Sequence, residues 1–213
     1  MNVLKEIDFF TVIRERHAVR KYDPNVKISR QELSEMLSEA VLAPSTANVQ
    51  PWRFLVISDR ELKEKLLPVA FNQEQTATSA AMIVVLADLE AYKEVDKVYS
   101  QAVEAGYMTA EIKSTLVANL GKYYENLSPD DIKSSFLIDT SLAAMQFMLV
   151  AKAHGYDTVP MGGYDAQKLK EAFAIPDRYT DVMLIAVGKA LEPAHQTVRL
   201  PVEDVAFWNG FGE

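Results

Sequence analysis

Ala43-Pro44-Ser45-Thr46-Ala47-Asn48-Val49-Gln50-Pro51-Trp52-Arg53-Phe54 is the stretch on which the reading of this chain turns. Upstream, Ser29-Arg30-Gln31-Glu32 forms a capping box, in which the Ser hydroxyl and the Glu carboxylate satisfy free backbone N–H groups. Leu33, Met36, Leu37, Ala40 and Val41 then repeat at helical spacing, and Pro44 should stop that helix. Downstream, residues 53–57 read as a strand. A helix-to-strand connection needs only a few residues. This one holds prolines, hydroxyls, an Asn and a Gln before Trp52 and Arg53, more hydrogen-bonding groups than a turn requires. They suit a planar ligand with polar edges. Taken alone, Ser45, Thr46 and Asn48 are equally well turn chemistry.

The rest of the chain alternates helices and strands irregularly. Asp8 should cap a first helix holding Phe9, Phe10, Val12 and Ile13. Asp23-Pro24-Asn25 is a turn. Ser58 to Glu61 reads as a second capping box, opening a short helix through Leu67. Ala81-Met82-Ile83-Val84-Val85-Leu86-Ala87 is continuously apolar and of strand length, hence a buried strand. Residues 90–127 are polar and helical, an inserted excursion carrying Tyr92, Tyr99, Tyr107, Tyr123 and Tyr124. Ser128-Pro129 opens a long helix to about His154, ended by Gly155. Over residues 142–153 that helix is apolar on nearly every side, so it should be buried in a core or against another subunit. Residues 157–161 are extended, Asp165 caps a further helix, and Val182-Met183-Leu184-Ile185-Ala186-Val187 is a second buried strand closed by Gly188. The tail, residues 200–213, has Val205, Phe207 and Trp208 but little periodicity, as an arm packed on a partner would. The expectation is one domain over residues 1–213, of α+β or mixed α/β class, with a sheet covered by helices.

Composition narrows the function. The 213 residues are 49% hydrophobic, enough for a sizeable core, and the net charge of -8 argues against a nucleic-acid binder. There is no cysteine, which excludes disulfides, thiolate metal sites and cysteine nucleophiles, and fits a cytoplasmic setting. Residues 1–10 carry Lys5, Glu6 and Asp8 and no long apolar core, so no signal peptide is expected. No apolar run approaches the roughly 20 residues needed to cross a bilayer.

Arg16, Arg20 and Lys21 crowd cations into a short segment, and Arg199 lies far away before Leu200-Pro201. Arginine forks match phosphate oxygens, but a solvated helix end would look the same. Asn72-Gln73-Glu74-Gln75 is a third polar cluster, explained equally by plain helix surface. Met161-Gly162-Gly163 permits close approach of a ligand to backbone, or a turn. His17, His154 and His195 stand at no metal-binding spacing, so no metal is expected; His154 fits a helix C-terminus. No GxSxG, P-loop or GxGxxG occurs, so a nicotinamide would have to bind without a Rossmann unit.

Together these segments resemble the FMN-dependent nitroreductase family across essentially the whole chain. The specific match is the pattern Ala-Pro-Ser-x-x-Asn-x-Gln-Pro-Trp, met in full from Ala43 to Trp52. Arg16-His17-Ala18-Val19-Arg20 corresponds to the family's N-terminal pattern, with Ala18 where Ser is usual. The Asn-Gln-x-Gln cluster, Met161-Gly162-Gly163 and Arg199-Leu200-Pro201 follow in the expected order. The resemblance implies a mostly antiparallel central sheet and an intertwined homodimer with FMN at the interface. Arg16, His17, Arg20 and Arg199 would hold the ribityl phosphate and the pyrimidine side of the ring, with Ala18 at the cofactor where the family's Ser would contact it. Pro44, Ser45, Thr46 and Asn48 would reach the flavin of the other subunit. Asn72 and Gln75 would meet the ring edge or ribityl chain, Met161 and Gly162 the isoalloxazine near N5, and Lys189 the phosphate. It implies an NAD(P)H oxidoreductase that reduces nitroaromatics or quinones by ping-pong hydride transfer through flavin N5, with no catalytic side chain. The same fold also supports dehalogenation and flavin breakdown, and an FMN storage or sensor protein would share the binding residues. Tyr107, Tyr123 and Tyr124 either cap the pocket or pack the excursion's own helices.

Overall fold

The computed structural model describes residues 8–211. Residues 1–7 of the segment read as lacking a leader, and residues 212–213 of the arm, lie outside the described residues. The apolar run after Ala80 is strand β2 (Ala81–Asp88), buried at every residue. It pairs antiparallel with β1 (Trp52–Ile57) on one side, Phe54 facing Val85, and with β4 (Tyr179–Gly188) on the other, Ile83 facing Ile185. Strand β3 (Asp157–Met161) completes the sheet against β4, giving the order β1-β2-β4-β3, all antiparallel. The sheet is buried on both faces because β2 and β4 are apolar at successive positions rather than at alternate ones.

One face, with Met82, Val84, Leu86 and Leu184, packs beneath α3 (Arg60–Val69) and α8 (Ala166–Phe173). The other, with Ala81, Ile83, Val85 and Ile185, packs beneath α2 (Arg30–Ala40) and α7 (Pro129–Ala153). The class is therefore α+β, as the family resemblance implies, and not mixed α/β. Ser29 and Ser128 cap α2 and α7, accepting from the N–H groups of Glu32 and Asp131. Asp8 and Asp165 cap α1 (Phe9–Glu15) and α8. Gly155, at φ 76°, turns the chain out of α7. The start of α3 differs from expectation. Its cap is Asp59, which accepts from the Leu62 N–H, not Ser58. A carboxylate one residue later is the stronger acceptor and meets the positive end of the helix.

The excursion folds as α5 (Val95–Glu104) and α6 (Ala110–Glu125). Tyr124 stacks on Tyr92 at 4.9 Å and touches Phe136 of α7. It therefore packs the excursion's own core, and its role as a pocket cap is set aside. Tyr107 and Tyr123 are exposed. At the root of the excursion, the buried Asp88 carboxylate takes Arg53 at 3.0 Å and a two-pronged contact from Arg178, while Glu94 faces both cations. Among the described residues α7 alone is long and apolar enough to cross a bilayer by length and composition. That corrects the expectation that no apolar run comes near this length. Here Ala143, Ala144, Phe147 and Ala151 bury one side of it against the sheet. Its opposite side, with Ile138, Leu142 and Met145, stays bare, so the helix is not buried all round within the chain.

Candidate functional site

The loop after α2 holds an unusual backbone. Ala47, Asn48 and Gln50 all have left-handed φ, between 49° and 54°. Side chains disfavour this region, so neighbouring groups must hold the loop in shape. Asp139, buried in the middle of α7, does so from beneath. Its carboxylate accepts the Thr46 N–H at 3.0 Å and the Thr46 hydroxyl at 3.2 Å. Burial pushes the Asp139 carboxyl above its ordinary pKa, and the two Thr46 hydrogen bonds pull the other way. From the excursion, the Tyr99 hydroxyl donates to the Ala47 carbonyl at 2.9 Å. Ser45 Oγ accepts the Gln50 N–H at 3.0 Å, which leaves its own proton free to donate. Asn48 is exposed, and Pro44 edges an apolar groove of about 490 Å³ with Phe9, Val12, Leu142, Met145 and Leu149.

A second group of residues gathers on the far side of β3. Val19 donates its N–H to the Thr158 carbonyl, which fastens the segment after α1 along that strand edge. Ala18, Arg20 and Lys21 there line a cavity of about 270 Å³ with Gln75, Glu192 and His195. Lys21 pairs with Glu192 at 3.1 Å, which raises the pKa of the ammonium group. Among the described residues Arg16 and Arg20 have no carboxylate at ion-pair distance. His17 lines an adjoining cavity of about 230 Å³ that shares Pro193 and Ala194 as a wall.

The Asn72 cluster is not helix surface. Phe71 and Asn72 take left-handed φ of 53° and 57°, and Gln75 in α4 (Glu74–Thr78) is buried. Gln73 bridges from Gln75 to the Gly163 carbonyl, which ties this cluster to the segment after Met161. Above Gly162 there is open space: an added Cβ would meet no heavy atom within 4 Å.

Other expected residues stand apart from this cavity. Arg199 is exposed on the C-terminal segment, bonded only to Thr197 and the Val198 carbonyl among the described residues. Its neighbours Val198, Leu200, Val202, Phe207 and Trp208 are exposed too. Lys189 donates to the Gly155 carbonyl and lies 4.5 Å from the Tyr156 ring centre, closing the end of α7. Asn48 lies with Pro44, Ser45 and Thr46 on the loop after α2. Sequence reasoning does not single out Asp139, Tyr99 or His195 as site residues, and it places Gln73 only within the polar Asn72 cluster. Asp139 carries a signal of its own, as an acid in the apolar middle of α7.

The donor set fits FMN. Unpaired guanidinium groups suit a phosphate, a buried amide suits a polar ring edge, and the space over Gly162 admits a flat ring against backbone. The apolar groove and the bare arm suit a second protein surface.

The comparisons agree with this chemistry. The Nitroreductase family matches residues 13–189. The chain is 46% identical over 208 residues to "Putative NAD(P)H nitroreductase YdgI" of Bacillus subtilis, covering 97% of this chain and 100% of that one. It is 39% identical to the "CLA biosynthesis enone reductase" of Lactiplantibacillus plantarum, over 89% of each chain. It also superposes on the crystal structure of "a putative nitroreductase in complex with FMN" from Exiguobacterium sibiricum. The TM-score is 0.93 at 47% identity, over 95% of this chain and 98% of that one.

Proposed function

The chain belongs to the nitroreductase family, and on that premise we propose that it reduces nitroaromatic, quinone or related conjugated acceptors by ping-pong turnover at an FMN shared between two copies of the chain. The broader statement is that it is an NAD(P)H-dependent flavin oxidoreductase with FMN as cofactor. When bound, FMN supplies a hydride acceptor and donor at N5, where nicotinamide and oxidant can dock in turn. The protein's own residues bind and orient it. Arg20, Arg16 and His17 supply positive charge and donors for the phosphate. Gln75 and Asn72 meet the polar edge of the ring, and the Met161-Gly162 backbone lies against its face. Arg199 on the arm completes the cavity of a second copy, and Pro44, Ser45, Thr46 and Asn48 serve the flavin of that copy. Lys189 stays a phosphate ligand in this reading only if it leaves the Gly155 carbonyl.

One observation carries the reading. Ala18, Arg20 and Gln75 line one cavity while Pro44, Ser45, Thr46 and Asn48 lie on a separate loop, and that loop borders at Pro44 an apolar groove bare enough to receive a second chain. The bare face of α7, with exposed Phe9 beside it, supports a homodimer on the same grounds. The enone reductase among the relatives supports widening the acceptor class from nitro groups and quinones to conjugated enones.

Arg20→Ala and Arg199→Ala should each lose bound FMN and its yellow colour, while size-exclusion chromatography still reports a dimer. Colour retained in both variants would contradict the phosphate assignment.

A further inference from the structure

Gln73 commits both of its amide protons and also accepts a hydrogen bond on its amide oxygen. Its Nε2 donates to the Ala70 carbonyl at 3.1 Å and to the Gly163 carbonyl at 2.7 Å. Carbonyl oxygens only accept, so the atom facing them is the nitrogen, and both amide protons are committed. Its Oε1 is then an acceptor, and it takes the Nε2 proton of Gln75 at 3.0 Å. The Gln75 amide has therefore lost its freedom to flip, because the flipped form would set oxygen against oxygen. What Gln75 keeps for the cavity is its Oε1 and a single N–H.

The other end of the relay reaches backbone. Gly163 follows the Met161-Gly162 segment directly, and a Cβ on Gly163 would stand 3.4 Å from Gln73 Nε2. One side chain thus fixes both a buried amide that lines the cavity and the glycine pair beside open space.

We propose that Gln73 is a positioning residue of the flavin site. It sets the donor–acceptor polarity of Gln75 and locks that side chain to the Gly162-Gly163 backbone. Gln75 then presents an acceptor suited to the imide N–H of a flavin pyrimidine edge, in fixed register with the backbone against the ring. This deepens the FMN reading above and rests on it.

The test is a double-mutant cycle on the full chain, with FMN titrated into flavin-stripped protein and the visible spectrum recorded. Gln73→Met and Gln75→Met should each weaken FMN binding about tenfold and alter the shape of the flavin bands. The double variant should also lose about tenfold rather than about a hundredfold, because the two side chains act as one unit. Gln73→Leu, which can neither donate to the two carbonyls nor accept from Gln75, should match Gln73→Met and serves if the Met variant does not fold. Unchanged affinity and bands in the Gln73 variants, or losses that multiply in the double variant, would overturn the inference. So would failure of both Gln73 variants to fold, since a positioning residue is dispensable for the fold. Wild-type protein that takes up no FMN would instead sink the functional reading itself.

Discussion

Thr46 and Asp139 show how one pair of residues can hold a functional loop. The Asp139 carboxylate accepts from both the backbone and the hydroxyl of Thr46, in a stretch where three non-glycine residues sit left-handed. Asp139→Leu leaves the Thr46 N–H without its acceptor and should cost about 1–3 kcal/mol. Asp139→Asn keeps an oxygen for the N–H and an amide for the hydroxyl. Its effect depends on pH. Because burial raises the folded-state pKa of Asp139, the stability it contributes is full below the unfolded-state value, about 4, and is lost as pH rises through the folded value. The neutral Asn escapes that loss. Denaturant melts should therefore rank Asp139→Asn more favourably against wild type at neutral pH than at acid pH; the opposite order would show that the carboxylate is better paired than the geometry indicates. The hydroxyls of this loop were legible in the sequence. Their anchor was not, because Asp139 is 93 residues away and hidden in an apolar run.

Elements were read more surely than their surroundings. Serine and aspartate caps, the glycine after α7 and the two buried strands could be located because each rests on local chemistry or on short-range pattern. Asp59 displaced Ser58 because two adjacent residues can both cap, and only the backbone path chooses between them. Helix α7 was legible as unusually apolar, but periodicity cannot say which of its faces the same chain covers. Ala143, Ala144 and Phe147 are covered; Ile138, Leu142 and Met145 are not. Leu142→Glu should therefore leave the monomer's core intact and shift the protein toward monomer in sedimentation velocity, with FMN lost at the same time. A variant that remains dimeric would place the interface elsewhere.

For the whole molecule, burial of phenols gives a prediction independent of the cofactor. Tyr124 and Tyr156 are each pushed up to about 12, and Tyr22 and Tyr164 are raised further, in every case chiefly by burial. A raised folded-state pKa favours the neutral phenol. Its stabilising share is thus complete below the unfolded value, about 10, and is lost as pH climbs through the folded value. Alkaline titration followed by tyrosinate absorbance should leave these four of the nine tyrosines un-ionised until the chain unfolds. All nine ionising together near pH 10 in protein with native circular dichroism would contradict this burial.

At the same scale, the sequence carried the order of the flavin-family segments but not their division between two places. Arg20 and Gln75 share a cavity, whereas Arg199 lies on a segment with few contacts to its own chain. Spacing along one chain cannot express contacts that need a second one. The excursion's tyrosines were ambiguous for a related reason: an aromatic on a helix fits either a core or a pocket until its neighbours are known.

The central claim is that this chain binds FMN and passes electrons from a nicotinamide to a second small molecule. The most direct test is the visible spectrum of the purified protein, supplied with FMN and freed of excess, before and after anaerobic addition of NADH or NADPH, and again after a nitroaromatic or menadione. The account predicts flavin bands that co-purify with the protein, bleach with the nicotinamide and return with the acceptor. Protein that stays colourless after exposure to FMN, or bound flavin that neither nicotinamide reduces, would contradict it.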